Sequence, residues 1–307
     1  MPGKRWKARV VKAVFDRYMS WRIEELVHPD YPVILDYPVR PEPRYGEGKP
    51  AHPELASILG RHDAAYGSTL TALSQFSENL AQIPESANAT APGEPHWDNG
   101  FFSALDAMTL YGLLGSRKPS RYVEVGSGNS TKFARRAVRD LALDTQIISL
   151  DPHPRAEVDA LCDRVIRQPL EGVDPTVFDE LAAGDMLFFD GSHRIFENSD
   201  VTVFFLEILP RLKSGVMVHI HDIFLPFDYP RVWMDRHYSE QYLLAAYLLG
   251  GYSRIEVLLP LAYLSQHPVT GVLVNKAWAQ PLFQRAFARY RQLTGGYIGT
   301  SFWLRMN

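Results

Sequence analysis

From residue 121 onward, short apolar runs alternate with stretches of helical spacing, a pattern that predicts a mostly parallel sheet with helices on both faces. The runs predict strands over 121–125, 146–151, 164–167, 185–190 and 215–221, with helices over 131–141, 156–161, 175–183 and 199–212 between them. Met186-Leu187-Phe188-Phe189 has no polar interruption, which places that strand at the buried centre. Beyond it, 239–249 reads as a helix, 254–259 and 301–306 as strands, and the stretch between those two strands as mixed. The whole is an α/β pattern.

Upstream the pattern differs. Val10, Val14, Tyr18 and Trp21 recur at helical spacing among Lys4, Arg5, Lys7, Arg9 and Lys12, predicting a basic amphipathic helix to about residue 27, one that packs on the protein or forms an oligomer in preference to the alternative of lying on a membrane surface. Prolines and glycines crowd 28–53, which disfavours regular structure. Helices are expected over 54–82 and 103–114, joined by a loop. Residues 1–119 thus read as a mainly helical extension before a regular unit at 120–307.

Composition narrows the function classes. The 307 residues are 46% hydrophobic and 22% charged, as in an ordinary globular protein, and the net charge of -3 lacks the basic excess of a nucleic-acid binder. A single cysteine, Cys162, excludes an internal disulfide or a multi-cysteine zinc site and fits a reducing cytoplasm. No apolar run is long enough to span a membrane, and Asp16, Arg17 and Arg22 interrupt what a secretory signal would need.

The first strand ends in Glu124-Val125-Gly126-Ser127-Gly128-Asn129-Ser130-Thr131. Glycines there permit a tight turn and close approach of a ligand to the backbone before a helix starts. Asp151, at the end of the second strand, is placed to accept both hydroxyls of a ribose. A dinucleotide fingerprint wants a third glycine where Thr131 stands, and Glu124 would repel a pyrophosphate while suiting an ammonium and sulfonium ligand.

In these residues the chain resembles the class I S-adenosylmethionine-dependent methyltransferases, whose first motif sets an acid two residues before a glycine-rich turn. Residues 124–131, 185–193 and 215–222 resemble more narrowly the bacterial sugar and macrolide-sugar O-methyltransferases. The resemblance implies a Rossmann-like sheet and cofactor contacts from Glu124, Gly126, Ser127, Gly128, Ser130, Asp151 and Asp190. It sets Pro169–Glu171 beside the adenine. Trp97, Asn99, Phe101 and Phe102 are expected to wall the cavity from the other side.

Two neighbouring strand ends deliver Asp190 with His193, and His221 with Asp222, to one edge of the sheet. Methylating an alcohol needs a base. His193 suits it, since an ordinary imidazole pKa of about 6.5 leaves much of it neutral near pH 7. Asp190 and Asp222 are hard ligands for magnesium, and His221 biases the site toward manganese. The resemblance implies a cation between Asp190 and the fifth strand, with His193 as base and Asp190 beside it. His219 alternates with apolar neighbours and reads as a structural histidine.

After the fifth strand, 224–230 followed by Arg231, Trp233, Arg236, Tyr238, Glu240, Gln241 and Tyr242 reads as a cover over a small-molecule or carbohydrate acceptor. Two other functions are consistent with the residues. One is a metal-dependent hydrolase built on His219, His221 and Asp222, which leaves the glycine turn unused; the other is a cofactor-binding subunit without turnover.

Overall fold

The β-branched and aromatic runs form seven strands: β1 Arg121–Val125, β2 Gln146–Leu150, β3 Arg164–Ile166, β4 Met186–Phe189, β5 Met217–Ile220, β6 Ile255–Pro260 and β7 Phe302–Met306. They make one sheet in the order β3-β2-β1-β4-β5-β7-β6. β1 to β5 are parallel, and β7 runs antiparallel to both β5 and β6. The result is Rossmann-like. Strand order reverses between β1 and β4, and such a reversal opens a crevice at the carboxyl ends where ligands bind. Glu124 is in register with Ser149 on one side and Phe188 on the other, so the strand carrying the turn is central.

This computed structural model describes residue 39, residues 41–154 and residues 157–307. The expected basic helix and the first part of the proline-rich stretch, 28–38 and residue 40, lie outside the described residues. Residues 41–52 are irregular apart from a bridge between Gly46 and Lys49.

The described helices of eight residues or more, with one of six, are α1 Pro53–Gly60, α2 Asp63–Leu73, α3 Ala104–Arg117, α4 Asn129–Asp140, α5 Glu240–Leu249, α6 Leu261–Gln266, α7 Thr270–Ala277 and α8 Pro281–Leu293. The single helix expected over 54–82 is thus broken, first after Gly60, whose free backbone favours leaving the helix. α3 is buried along nearly its whole length and packs on α4. The spans expected as helices at 156–161 and 175–183 are short 3-10 turns, Asp159–Leu161 and Pro175–Glu180. That expected over 199–212 passes from α through a π segment, Phe204–Ile208, into a 3-10 turn, Leu209–Arg211. Pro210 accounts for the change, because it lacks the N–H that an α-helix needs there.

One apolar core runs from Leu55 on α1 through Tyr111 on α3 and Phe188 on β4 to Met306 on β7. The expected division at 119/120 falls inside the compact unit Glu42–Asn307. Among the described residues no helix is long and apolar enough to cross a membrane.

Candidate active site

β1 ends in a turn that only glycine accommodates. Gly126 has φ +81°, and a Cβ there would lie 1.9 Å from the carbonyl oxygen of Asp190. The turn is therefore pressed against the end of β4, at the point where the strand order reverses. α4 starts directly after it, and the Gly128 N–H donates to Thr131 Oγ1 at 3.0 Å. A cavity of about 550 Å³ opens over this turn, within the usual size of a small-molecule site.

Gly126, Ser127, Gly128, Ser130, Asp151 and Asp190 all border that cavity, as do Pro169, Leu170 and Glu171. The Asp151 carboxylate is held at both oxygens, accepting from Ser127 N and His153 N at 2.7 Å each. Asn99, Phe101 and Phe102 also line the cavity. Trp97 does not. It is buried against Phe133 and Phe283. Asp200, with no expected role, also lines the cavity and accepts from Ser192 N at 2.6 Å and Ser192 Oγ at 2.5 Å.

Glu124 lies elsewhere than expected. It is wholly buried beneath the turn, accepting from Tyr122 Oη at 3.1 Å and from Thr131 Oγ1, and it does not border the cavity. Burial pushes its pKa up to about 7 despite hydrogen bonds from Ser130, Thr131 and Tyr122 that act the other way. It braces the turn from below, so its charge does not face a ligand. Alternation explains this: β1 sends Glu124 and Val125 to opposite faces of the sheet.

A second cavity of about 290 Å³ adjoins the first, and Asp190 and Phe101 belong to both. Its floor is ionic. His193 Nε2 lies 3.1 Å from Asp190 Oδ1 and 3.6 Å from Asp222 Oδ2, while its Nδ1 meets Glu240 Oε1. His221 Nδ1 lies 3.5 Å from oxygens of both Asp190 and Asp222, and its Nε2 lies 3.4 Å from Asp106 Oδ2. His193 and Asp222 both have positive φ, +62° and +56°, an uncommon state for side-chain-bearing residues and one that gathers at functional sites.

The electrostatics differ from the sequence expectation. Burial opposes charge on His193, but Glu240, Asp190 and Asp222 outweigh it and hold the imidazole well above its ordinary pKa. The ordinary imidazole value assumed from the sequence therefore does not carry over to this ring. His221 is raised in the same way, burial being overcome by Asp222, Asp190 and Asp106. Asp190, despite burial, is held well below the carboxylate range by His221 and His193. Burial raises Asp222, and it pushes Glu240 up to about 7 against the attraction of His193.

Two acids of this floor escaped the sequence reading. Asp106 is buried on α3 and accepts from the backbone N–H groups of Thr300 and Ser301 at 2.9 and 2.7 Å. An acid in an otherwise apolar helix was the available signal. Glu240, expected in the cover over the acceptor, is instead fully buried against His193. Of that cover, Trp233, Arg236 and Tyr238 line the second cavity. Gln241 is turned inward to accept from Phe224 N at 2.9 Å, and Tyr242 donates to Asp228 at 3.1 Å.

His219 is not part of the cluster. It is buried, stacked on Phe188 at 3.9 Å, with Nε2 2.6 Å from Ser301 Oγ, and burial followed by His221 keeps its pKa well below the ordinary value. This removes one member of the ligand set that a metal-dependent hydrolase required.

Residues 123–223, about a third of the chain, match the model of a family described as a methyltransferase domain. No curated protein matches the chain. Among solved structures, the plantazolicin methyltransferase BpumL, in complex with a pentazolic desmethylPZN analog and SAH, aligns with 82% of this chain and 99% of its own at 13% identity and a TM-score of 0.43. An O-methyltransferase from Bacillus cereus in complex with SAH aligns with 78% of this chain and 90% of its own, at 14% identity and a TM-score of 0.37. The O-methyltransferase TomG from Streptomyces achromogenes, in complex with SAM, gives 78%, 90%, 17% and 0.31. Superpositions this loose leave the fold to be read from strand order and register. The turn at Gly126, Asp151, Asp190 and His193 all lie within the residues that match the methyltransferase-domain model.

Proposed function

We propose that the protein is an S-adenosylmethionine-dependent O-methyltransferase whose acceptor is a hydroxyl of a small, carbohydrate-like molecule. The observation that carries this reading is the junction of the two cavities at Asp190 and Phe101, with a glycine turn and Asp151 on one side and a buried proton-handling cluster on the other. S-adenosylmethionine supplies an electrophilic methyl group on a sulfonium. On the chain's side, Asp151 accepts the ribose hydroxyls, the 126–130 turn offers backbone to the amino-acid end, and Pro169–Glu171 border the base.

In the second cavity, Asp190 positions the attacking hydroxyl and His193 Nε2 takes its proton as the O–CH3 bond forms and the S–CH3 bond breaks, S-adenosylhomocysteine leaving as a neutral thioether. Glu240 on Nδ1 and the ring of Tyr238, 4.3 Å from the imidazole, hold the ring in place. The neighbouring carboxylates Glu240, Asp190 and Asp222 make His193 a stronger base than a free imidazole.

The donor chemistry also fits a divalent cation. Asp190, His193 and Asp222 each offer a ligand atom within 4.8 Å of the others, and both ring nitrogens of buried His221 lack a hydrogen-bond partner. Asp190 and Asp222 would hold the ion with His221, leaving His193 Nε2 for the proton, and the ion would acidify a coordinated hydroxyl.

Calorimetry with S-adenosylmethionine and with NAD separates the readings, together with transfer of a labelled methyl group to a panel of polyols. Micromolar binding of the first and none of the second is expected. Binding of NAD, or indifference to S-adenosylmethionine, overturns the proposal.

A further inference from the structure

The second cavity is polarised. Its floor carries Asp190 and Asp222 against His193 and His221, whereas its rim carries the cation Arg236. The Arg236 guanidinium lies 3.9 Å from the ring centroid of Trp233 and 5.6 Å from that of Tyr238. Arg194 approaches Tyr238 to 5.4 Å, donating from Nε to the carbonyl of Arg236 at 3.1 Å and from Nη1 to that of Ser192 at 3.1 Å. Among the described residues, neither guanidinium has a carboxylate at ion-pair distance. Some surface arginines elsewhere are paired, Arg139 with Glu94, Arg211 with Asp179 and Arg285 with Glu85, whereas exposed Arg61 and Arg117, like Arg236, have no described carboxylate at that distance.

The rim is also held rigidly to the reactive floor. Tyr238 packs on the His193 ring, and the N–H groups of Ser239 and Glu240 donate to the His193 carbonyl at 2.8 and 3.2 Å. Ile195 N donates to Ser239 Oγ at 2.9 Å, and Trp233 Nε1 to the carbonyl of Leu293 at 2.8 Å. A stacked guanidinium keeps its planar donors free for an oxyanion and loses little freedom on binding one.

Building on the proposed methyl transfer, we infer that the acceptor is an anionic polyol whose oxyanion, a carboxylate or a phosphate, is held at the rim by Arg236 with Arg194 beside it. A cation at the mouth and acids at the floor admit such a molecule in one direction. The oxyanion stays at the rim and a hydroxyl is presented to Asp190 and His193; the reversed pose sets like charges together. Charge polarity therefore selects which hydroxyl reacts.

The test uses the full chain saturated with S-adenosylhomocysteine and three probes: methyl glucuronide, glucose 6-phosphate and the neutral methyl glucoside. At least one anionic probe is expected to bind tenfold or more tightly than the glucoside. Arg236→Gln should abolish that preference by weakening the anions more than the glucoside, and Arg236→Lys should restore part of it. A preference for glucuronide alone assigns a carboxylate, and for glucose 6-phosphate alone a phosphate. Equal affinities, no binding of either anion, or a preference that survives in Arg236→Gln overturns the inference. Homocysteine-compound affinity is read separately. If it is intact without an anion preference, only this inference fails; if it is absent, the methyltransferase reading fails with it.

Discussion

The two adjoining cavities are made of different materials. The first is bounded by backbone at the 126–130 turn and by Asp151, whose carboxylate is tied to two N–H groups. The second rests on four acids and two histidines within reach of one another, all buried but the partly exposed Asp190. The contrast teaches that holding a ligand and activating one place opposite demands on the chain. Holding is done by steric fit and fixed hydrogen bonds. Activation needs groups whose protonation is balanced against neighbours, at the cost of burying charge and of strain at His193 and Asp222.

If that division of labour is right, His193→Ala gives the largest effect: turnover falls by roughly 10²- to 10⁴-fold while S-adenosylmethionine affinity stays within about twofold. Steady-state kinetics beside calorimetry checks it, and a matched loss of affinity would erase the distinction between the cavities. Gly126→Ala should act on the first cavity through the backbone. With a positive φ and a Cβ driven into the Asp190 carbonyl, it is expected to cost about 3 kcal/mol of stability, read by denaturant unfolding. A variant as stable as wild type would show that the turn relaxes freely.

Asp151→Ala should weaken S-adenosylmethionine binding roughly 10- to 100-fold, with turnover at saturation changed only a few-fold. The reverse pattern, intact affinity with lost turnover, would place Asp151 in the chemistry instead. The smallest expected effect concerns Glu124. Its pKa is raised on folding, so its contribution to stability is present below the unfolded value near 4.5 and is lost as pH rises through about 7. Glu124→Gln should remove that decline, flattening stability between pH 5 and 8 by on the order of 1 to 2 kcal/mol. An unchanged pH dependence would mean that Glu124 is ionised in the fold.

Much of this was legible along the chain. Strand β1 is found where its apolar run predicts it, and β2 to β7 lie within a few residues of expectation. Runs such as Met186–Phe189 have no alternative to burial. The turn and the two strand ends follow from that register. The helices between β6 and β7 did not stand out, because that stretch mixes polar and apolar positions without one clear period. Asp106 went unseen for a different reason. Its hydrogen-bond partner Ser301 is 195 residues away in sequence, and its acidity has meaning only beside His221.

The sequence by itself determined the order of strands along the chain, the glycine turn and the residues at the carboxyl edge. Those depend on local period and on the conformations each residue type permits. Only the tertiary structure decided which carboxylates face which histidines. It buried Glu124 under the turn, set Glu240 against His193 and brought Asp106 to His221. Protonation depends on distance and burial in space, and neither can be read from separation along the chain.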